Sequence, residues 1–595
     1  MTLMKVVVLV LFIWSIILNV DVKCDLPVHC LVNEIEGEWI MRINKETFTP
    51  SLEDMRTTCG HGFPNRVDNN VGDYDYKFDN YYDINITLDK LYNVHENGQK
   101  VGYWTPVYDQ SFVIYYKNSI FTAPYKYYKS SNDKFLSNCS KSEIGWLVPD
   151  KDYADNGWSC FFAFKRGTNV SNYKRENNFL NDPHTALAPS YDGAVYSFAQ
   201  ISTHNKFSSK FKYDSFDSVV DEINKADLPW KAKIYNEFKG FSFLQVRDKL
   251  GMKKSKKNSK QPYEMGYFFN NFNDNFRNTA NPVPNSVSSY LTPRSPDGVN
   301  QYRNSINLSD NYKPKQIRDK DSNLVTDYQE VAKYLDTPLD QIPEETLPLN
   351  WDWRNVGGVS YVTEGAQIQG ECGSCYVFST ISSLESRLRI RTNNKDKTRF
   401  SKEFPLSYNF YSEGCDGGYP YLVGKFLHEF EIIPEDCLPY KQSDKDYNKL
   451  CDYKNIYKTK YKVSKYGYLG GFYGATNEVM MLKELRARGP FPGNILVPYT
   501  FNLYSNGIYS HSQLVKNSEK LSTTRMIDRK ATWEKVEHSI TIVGYGEENG
   551  IKFWIGKNTW GDSWGEDGYF RVLRGENEVS IESMGDVLDI EFSDR

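Results

Sequence analysis

The sequence before the most regular helical pattern of this chain reads Gln369-Gly370-Glu371-Cys372-Gly373-Ser374-Cys375-Tyr376. In the run that follows, 375–391, apolar residues return at the spacing of one helix face. Cys375 is therefore predicted to open a helix, where unpaired N–H groups and the positive end of the helix dipole lower the pKa of a thiol. Such a thiol is a candidate nucleophile. The alternative is a buried or disulfide-bonded cysteine.

A catalytic thiolate needs an imidazole partner, and the imidazole needs an orienting group on its far nitrogen. His538 comes just before a predicted strand over 539–546, and Asn558 follows a second predicted strand over 553–555. A lone histidine before a strand is more often structural. Asn558 in the sequence Lys-Asn-Thr-Trp-Gly changes that balance, so His538 is the predicted general base and Asn558 its orienting residue.

Sequence patterns divide the chain into regions. Residues 25–165 alternate apolar and polar positions in short runs, which predicts a β sandwich or barrel. In the next region, 166–346, the runs 216–228 and 230–241 have roughly helical spacing, and about 253–323 is a polar, Asn- and Lys-rich insertion predicted to be flexible. The last region, 347–595, begins with helical patterns and ends with strands, which predicts two lobes and a cleft between them.

The N-terminus and the cysteines indicate the secretory pathway. Residues 1–24 have a basic start and a short apolar run, typical of a signal peptide whose removal leaves Asp25 first; an uncleaved signal anchor is the alternative. The chain has 10 cysteines, and losing Cys24 leaves an odd number, so one thiol is free or pairs between molecules. Four of them lie in the N-terminal region, namely Cys30, Cys59, Cys139 and Cys160. Four cysteines can form two disulfides in three different ways.

Charge and short motifs add less. Lys plus Arg total 72 and Asp plus Glu total 76, a net charge of -4, which argues against nucleic acid as a partner. No later segment reaches the about 20 apolar residues of a membrane span, so no membrane association is expected after signal cleavage. Asparagine glycosylation motifs occur at Asn85, Asn138, Asn169 and Asn307.

These motifs together resemble papain-family cysteine peptidases, and most closely the cathepsin C (dipeptidyl peptidase I) family. The resemblance covers both ends of the chain and only patches of its middle. One residue that supports it is Tyr376, where most of the papain family has Trp. The other segments that support it are Trp351-Asp352-Trp353-Arg354, Gly414-Cys415-Asp416-Gly417-Gly418-Tyr419-Pro420-Tyr421, Gly470-Gly471-Phe472-Tyr473-Gly474, Trp564-Gly565-Glu566-Asp567-Gly568-Tyr569-Phe570 and Asp25-Leu26-Pro27-Val28-His29-Cys30.

The resemblance implies an α+β protein: a two-lobed papain-like catalytic domain, with a helical lobe and a β-barrel-like lobe, over 347–595. An all-β exclusion domain over 25–165 and a propeptide over 166–346 would precede it. The implied disulfides are Cys30–Cys139, Cys59–Cys160, Cys372–Cys415 and Cys437–Cys451. That pairing leaves Cys375 as the free thiol that a nucleophile requires.

The resemblance also implies roles in the cleft. Gln369 would donate to the oxyanion together with the backbone N–H of Cys375, and Trp560 would cover the hydrogen bond between His538 and Asn558. Further substrate-binding positions would be Gly417, Gly418, Tyr419 and Pro420.

The implied activity is a dipeptidyl peptidase that forms a thioester acyl-enzyme and removes dipeptides from free N-termini. The exclusion domain would close the cleft, the Asp25 carboxylate would bind the substrate amine, and Tyr421 would hold a chloride ion. No metal or organic cofactor is expected. The alternatives are an endopeptidase with an open cleft and a catalytically silent binding protein on the papain scaffold.

The same resemblance implies a zymogen that an activating protease cleaves, a homotetramer, and a lysosome-like or acidic vacuolar lumen or secretion. Two segments depart from the family pattern: the polar insertion and an expanded basic stretch over 513–535. The stretch lengthens the spacing from Cys375 to His538 beyond the about 130 to 150 positions usual in this group. Both are predicted to be surface loops that are cut during maturation.

Overall fold

A computed structural model describes three parts of the chain, with short gaps in each. The first part covers 30–168 without 31, 51, 53–58, 60–77, 109, 130–134 and 151–156. The second covers 217–250 without 242–245 and 247–249, and the third covers 316–595 without 319–323, 364, 366, 442–449, 499 and 518–535. The predicted signal peptide, Asp25, Asn169, Asn307 and most of the polar insertion lie outside these residues.

The N-terminal region is a barrel-like sheet, as the alternating pattern predicts. The sheet has nine strands and closes because β1 pairs with both β2 and β9. A short helix α1, Val32–Ile35, precedes it. The strands are β1 Gly37–Asn44, β2 Tyr81–Leu88, β3 Asn93–Glu96, β4 Gln99–Val107, β5 Ser111–Tyr116, β6 Ser119–Lys129, β7 Phe135–Ser142, β8 Gly145–Pro149 and β9 Ser159–Lys165. Disulfides Cys30–Cys139 and Cys59–Cys160 link distant parts of this barrel.

The segment after the barrel differs in part from the prediction. Helix α2, Asp217–Lys225, lies within the first run with helical spacing. The second run with roughly helical spacing, 230–241, contains no α-helix: Trp230–Ala232 is a strand, β10, paired with the edge strand β16, Tyr504–Tyr509. Trp230 is buried against the ring of Tyr509, at 4.7 Å between centroids. An edge strand offers unpaired backbone groups, and pairing with them overrides local spacing.

The C-terminal domain has a helical lobe and a sheet lobe. Short strands β11, Gln316–Arg318, and β12, Leu324–Thr326, and helix α3, Tyr328–Val331, lead into it. Its remaining helices are α4 Cys375–Arg391, α5 Glu403–Tyr408, α6 Pro420–Glu429, α7 Tyr453–Ile456, α8 Glu478–Arg488 and α9 His511–Asn517. Its strands, besides β16, are β13 Trp351–Asp352, β14 Thr459–Tyr468, β15 Phe491–Ile495, β17 His538–Glu548, β18 Ile551–Lys557, β19 Tyr569–Leu573 and β20 Asp586–Asp594.

Helix α4 is the centre of the domain. It begins at Cys375 and ends at Arg391, as predicted, but it is buried all round and not on one face alone. Its small polar side chains make this possible by bonding to their own helix, for example Ser383 Oγ to the Ser379 carbonyl at 2.7 Å. Arg387 is compensated by Glu484 at 2.8 Å and Asp589 at 2.9 Å.

The barrel packs against the helical lobe. Trp146 and Trp158 of the barrel belong to the apolar core that includes Phe410 and Phe426 of that lobe. The Trp146 and Phe410 ring centroids lie 4.9 Å apart. Within the described part of the chain, each helix is too short or too polar to span a bilayer.

Replacing Arg387 by Met tests the role of its buried ion pairs with Glu484 and Asp589. Glu484 would keep Arg488 at 3.2 Å, and Asp589 would keep Arg391 at 3.9 Å. Since both buried carboxylates would still lose their nearest cation, we expect the free energy of unfolding to fall by about 3 to 5 kcal/mol. The measurement is urea unfolding of both proteins in a Cys375→Ala background, which prevents self-digestion.

The matched control is Arg166→Met, which removes an exposed ion pair of the same length, 2.9 Å to Glu38. We expect a loss of at most about 1 kcal/mol there. Equal losses at the two positions would contradict the argument from burial.

Candidate active site

Cys375 occupies the first turn of the buried helix α4. Of the described cysteines, it alone carries a free thiol. The backbone N–H groups of Cys375, Tyr376 and Ser539 lie close enough to its sulfur to favour the thiolate. Ser539 is the second residue of β17, so the thiol at the helix start lies against the start of this strand. Helix α4 and β17 are also joined by the hydroxyls of Ser379 and Ser539, 2.7 Å apart.

His538 is the first residue of β17 and is held from two sides. Its Nε2 donates to Asn558 Oδ1 at 2.8 Å, and its ring stacks on Trp560 with centroids 4.9 Å apart. Since a carbonyl oxygen only accepts, Nε2 carries the hydrogen and Nδ1 is the basic nitrogen. Nδ1 has no hydrogen-bond partner among the described residues. It is therefore the nitrogen available to a neighbouring thiol.

Burial shapes the ionisation of both groups. It raises the pKa of Cys375 to about 11, against the stabilising backbone N–H groups, and it lowers the pKa of His538 to about 4, against the bond to Asn558. An isolated charge on either group is thus unfavourable. Transfer of the proton from the thiol to Nδ1 creates both charges together, so each becomes the counter-charge of the other.

Gln369 is fixed beside the thiol by both ends of its side-chain amide. Its Nε2 donates to the Cys372 carbonyl at 2.9 Å, and its Oε1 accepts from the Thr559 hydroxyl. Its backbone N–H also donates to the Thr559 carbonyl at 3.0 Å. One hydrogen of Nε2 is used, so the second is left for a ligand.

Two residues of this site were missed by the sequence prediction. Thr559 lies in the Lys-Asn-Thr-Trp-Gly motif next to Asn558, and that adjacency was the available signal. For Tyr440 the sequence offers no signal, because its partners are distant along the chain. Its hydroxyl lies 2.8 Å from Ser374 Oγ and donates to the Gln369 carbonyl at 2.7 Å, across 71 residues of sequence.

Gly417 and Gly418, the glycine pair, precede α6, and both positions require glycine. Gly417 has a φ of 131°, a backbone conformation that favours glycine. A Cβ on Gly418 would lie 2.6 Å from Tyr376 Cε2 and 2.8 Å from Ser412 Cβ. The next residues meet the barrel and the helix: Tyr419 stacks on Tyr108 of the barrel at 5.2 Å, and Pro420 is the first residue of α6.

Tyr421, the predicted chloride ligand, lies in a cluster of buried tyrosines. Its hydroxyl is 2.9 Å from that of Tyr115 on barrel strand β5, and its ring packs 4.9 Å from Tyr468. The Asp586 carboxyl group adds a negative potential at both Tyr421 and Tyr468. These residues fit an anion only while Asp586 carries its proton. Within the described ranges, His, Cys, Asp and Glu side chains form no group of three or more suited to a metal ion.

The structure thus brings together Cys375, His538, Asn558, Gln369 and Trp560. It puts the glycine pair and Tyr421 next to the barrel. Asp25, predicted to bind the substrate amine, lies outside the described residues. Disulfides Cys372–Cys415 and Cys437–Cys451 join the helix start and the neighbouring loops, so the four disulfides of the structure are those that the family resemblance implies.

Comparison with known families gives two matches. Residues 347–587 match the family described as papain family cysteine protease. Residues 25–165 match the cathepsin C exclusion domain.

Three relatives illustrate the similarity. Cathepsin C of Schistosoma mansoni is 38% identical over 244 residues, 40% of this chain and 51% of the relative, so the match spans about half of that protein. Dipeptidyl aminopeptidase 1 of Plasmodium falciparum is 25% identical over 97% of this chain and 95% of the relative. Cathepsin Z of Onchocerca volvulus is 31% identical over 40% of this chain and 73% of the relative.

Replacing Thr559 by Val tests whether its hydroxyl holds Gln369 in place. We expect kcat/KM to fall roughly tenfold, because an unheld amide no longer aims its second N–H at the reacting carbonyl; Gln369→Ala should cost about 10²- to 10³-fold, as for other donors of this kind. Steady-state kinetics on a peptide amide substrate measure both.

Thr559→Ser keeps the hydroxyl and should retain wild-type activity. In a Gln369→Ala background, Thr559→Val should have no further effect. A full additional loss in that background would mean that Thr559 acts independently of Gln369.

Proposed function

The chain belongs to the papain family of cysteine proteases, and on that basis we propose that it is a dipeptidyl peptidase that removes dipeptides from the free N-termini of peptides and proteins. One observation carries the exopeptidase assignment. The barrel, which matches the cathepsin C exclusion domain, packs against the helical lobe beside the glycine pair and Tyr421. An ordinary papain-like cleft has no such domain at this position.

Acylation begins with the Cys375 thiol. Its proton passes to His538 Nδ1, and the thiolate attacks the carbonyl carbon of the second substrate residue. Negative charge then develops on the carbonyl oxygen, where the free N–H of Gln369 and the Cys375 backbone N–H donate to it. Asn558 keeps the imidazole in the tautomer and orientation that this transfer needs.

The same histidine completes the cycle. It protonates the leaving amine, which departs and leaves a thioester between Cys375 and the dipeptide. Water that gives a proton to His538 then attacks the thioester and releases the dipeptide. Trp560 covers one face of the His538 ring, which protects the bond to Asn558 from water and so supports the orienting role.

Substrate length is set by the barrel in this proposal. In support of this, Tyr108 of the barrel stacks on Tyr419, a position that the family resemblance assigns to substrate binding, and Tyr115 contacts Tyr421. The substrate amine would then bind the carboxylate of Asp25, the residue that follows the predicted signal peptide. An unpaired carboxylate would disfavour a blocked N-terminus.

The remaining assignments belong to the same proposal and rest on family similarity. Tyr421 would hold chloride, which supplies a fixed negative charge beside the cleft. The protein would enter the secretory pathway and reach an acidic lumen or the exterior. An activating protease would cut the propeptide, and the mature enzyme would assemble as a homotetramer.

Paired substrates test the proposal. We expect the processed enzyme to hydrolyse a fluorogenic dipeptide amide with a free amine, and its N-acetylated form at least 100-fold more slowly, a ratio of about 3 kcal/mol or more in transition-state binding. Fluorescence release gives kcat/KM for both.

Cys375→Ala should abolish the activity and serves as the control for a contaminating protease. Equal hydrolysis of the two substrates would mean an open cleft and an endopeptidase. If the Cys375→Ala variant still hydrolysed both substrates, Cys375 would not be the nucleophile.

A further inference from the structure

The first turn of α4 departs from the usual pattern of a helix start. Ser374 is its N-cap residue, yet the serine side chain makes no capping hydrogen bond. Serine is among the strongest N-cap residues, because its oxygen can accept from the N–H of the second or third helical residue, here Tyr376 and Val377. Such a break in a local rule is expected where function requires it. Since Ser374 is fully buried, its hydroxyl must be bound elsewhere.

The Ser374 hydroxyl is bound by Tyr440 instead. The two hydroxyl oxygens lie 2.8 Å apart, and the Tyr440 hydroxyl donates to the Gln369 carbonyl at 2.7 Å. A hydroxyl has one hydrogen, so the Tyr440 oxygen is the acceptor in its contact with Ser374, and Ser374 donates to it. The serine hydroxyl is thereby directed toward the tyrosine and away from the N–H groups of the helix.

Tyr440 is itself fixed by its surroundings. Its ring packs edge-on against Phe378 of α4, with centroids 4.8 Å apart, and its backbone N–H donates to Glu435 Oε1 at 3.0 Å. It lies between Cys437 and Cys451, whose disulfide closes the loop. Removing the hydroxyl alone would therefore leave the ring in place.

The N–H groups that Ser374 does not cap lie beside the Cys375 sulfur. Those of Cys375 and Tyr376 favour the thiolate, together with that of Ser539. The N–H of Val377 is already bonded to the Ser374 carbonyl, at 2.9 Å. A Ser374 hydroxyl that turned back to cap the helix would therefore compete with the sulfur for the Tyr376 N–H, the other donor that an N-cap side chain reaches.

We propose that Tyr440 is a positioning residue: it keeps the Ser374 hydroxyl from capping α4, so that the first-turn N–H groups stay with the Cys375 sulfur. The inference rests on the proposed mechanism, in which Cys375 reacts as a thiolate. It is separate from the bond between Tyr440 and the Gln369 carbonyl, because that bond concerns the oxyanion and not the ionisation of the thiol.

The contact between the two hydroxyls does not titrate in the range of an assay. Burial raises the pKa of Tyr440, and negative charge on Glu403 and on Cys375 raises it further, so the phenol keeps its hydrogen. The other titratable side chains on the neighbouring segments are Glu371, Lys402, Glu435 and His538. Among the described residues, the Ser374 and Tyr440 hydroxyls have each other and the Gln369 carbonyl as hydrogen-bond partners. A shift in the pH profile of a variant therefore reports the thiol.

The experiment measures the pH dependence of Cys375 alkylation by iodoacetamide in the processed wild-type enzyme and in Tyr440→Phe. The thiolate is the reacting form, so the rate follows its fraction without any peptide substrate. Because the released Ser374 hydroxyl takes a donor from the thiolate, we expect the acid limb of the profile to rise by about one pH unit. Below that limb, alkylation and kcat/KM on a dipeptide amide should both be about tenfold slower than in wild type.

Three further proteins make the test specific. Adding Ser374→Ala to Tyr440→Phe should return the acid limb to its wild-type position, because alanine cannot cap the helix. Ser374→Ala alone should leave the limb there. Tyr361→Phe is the control, since the Tyr361 hydroxyl is also buried and donates to Asn393 Oδ1 at 2.9 Å, near the other end of α4. It should give the wild-type profile.

An acid limb that does not move in Tyr440→Phe overturns the inference, and so does a limb that stays raised after Ser374→Ala is added. Tyr440→Leu also lacks the hydroxyl and keeps an apolar contact with Phe378, so it replaces Tyr440→Phe if that variant does not fold. Failure to hydrolyse the free-amine substrate would refute the proposed function alone. The alkylation profiles would still decide the role of Tyr440.

Discussion

The complete burial of helix α4 is the constraint on which the rest of the catalytic domain depends. A helix enclosed on all sides cannot shift, so Cys375 at its start keeps a constant position relative to β17 and His538. The cost of that burial is the removal of charged side chains from water. For Arg387 this cost is offset by ion pairs with Glu484 and Asp589, which hold the C-terminal half of the helix to α8 and β20.

The active site is then assembled from groups that bond across the two lobes. Thr559 of the sheet lobe holds Gln369, and Gln369 holds the loop that leads into α4. Asn558 and Trp560 hold His538 from one short segment after β18. His538 and Gln369 are thus each oriented by neighbouring side chains, which is how a cleft between lobes keeps its geometry.

In the proposed function, the contact between the barrel and the helical lobe determines what kind of peptidase this scaffold becomes. The contact is aromatic at its centre, with Trp146 on Phe410 and Tyr108 on Tyr419. Aromatic side chains bury a large area and also offer hydroxyls. The surface that anchors the barrel therefore also contains hydrogen-bonding hydroxyls, such as those of Tyr115 and Tyr421, which lie 2.9 Å apart.

Local patterns in the sequence were sufficient to predict the bounds of α4 and to select Cys375, His538 and Asn558 as candidate site residues. A helix start, a strand start and a short motif are properties of neighbouring residues. The alternation over 25–165 likewise predicted an all-β domain. Tertiary structure alone decided that Trp230–Ala232 is a strand, since its partner β16 lies far along the chain. It also decided the contacts of Tyr440, whose partners Ser374 and Gln369 are far away in sequence. Buried polar contacts of this kind depend on which elements pack together, and no local spacing encodes that.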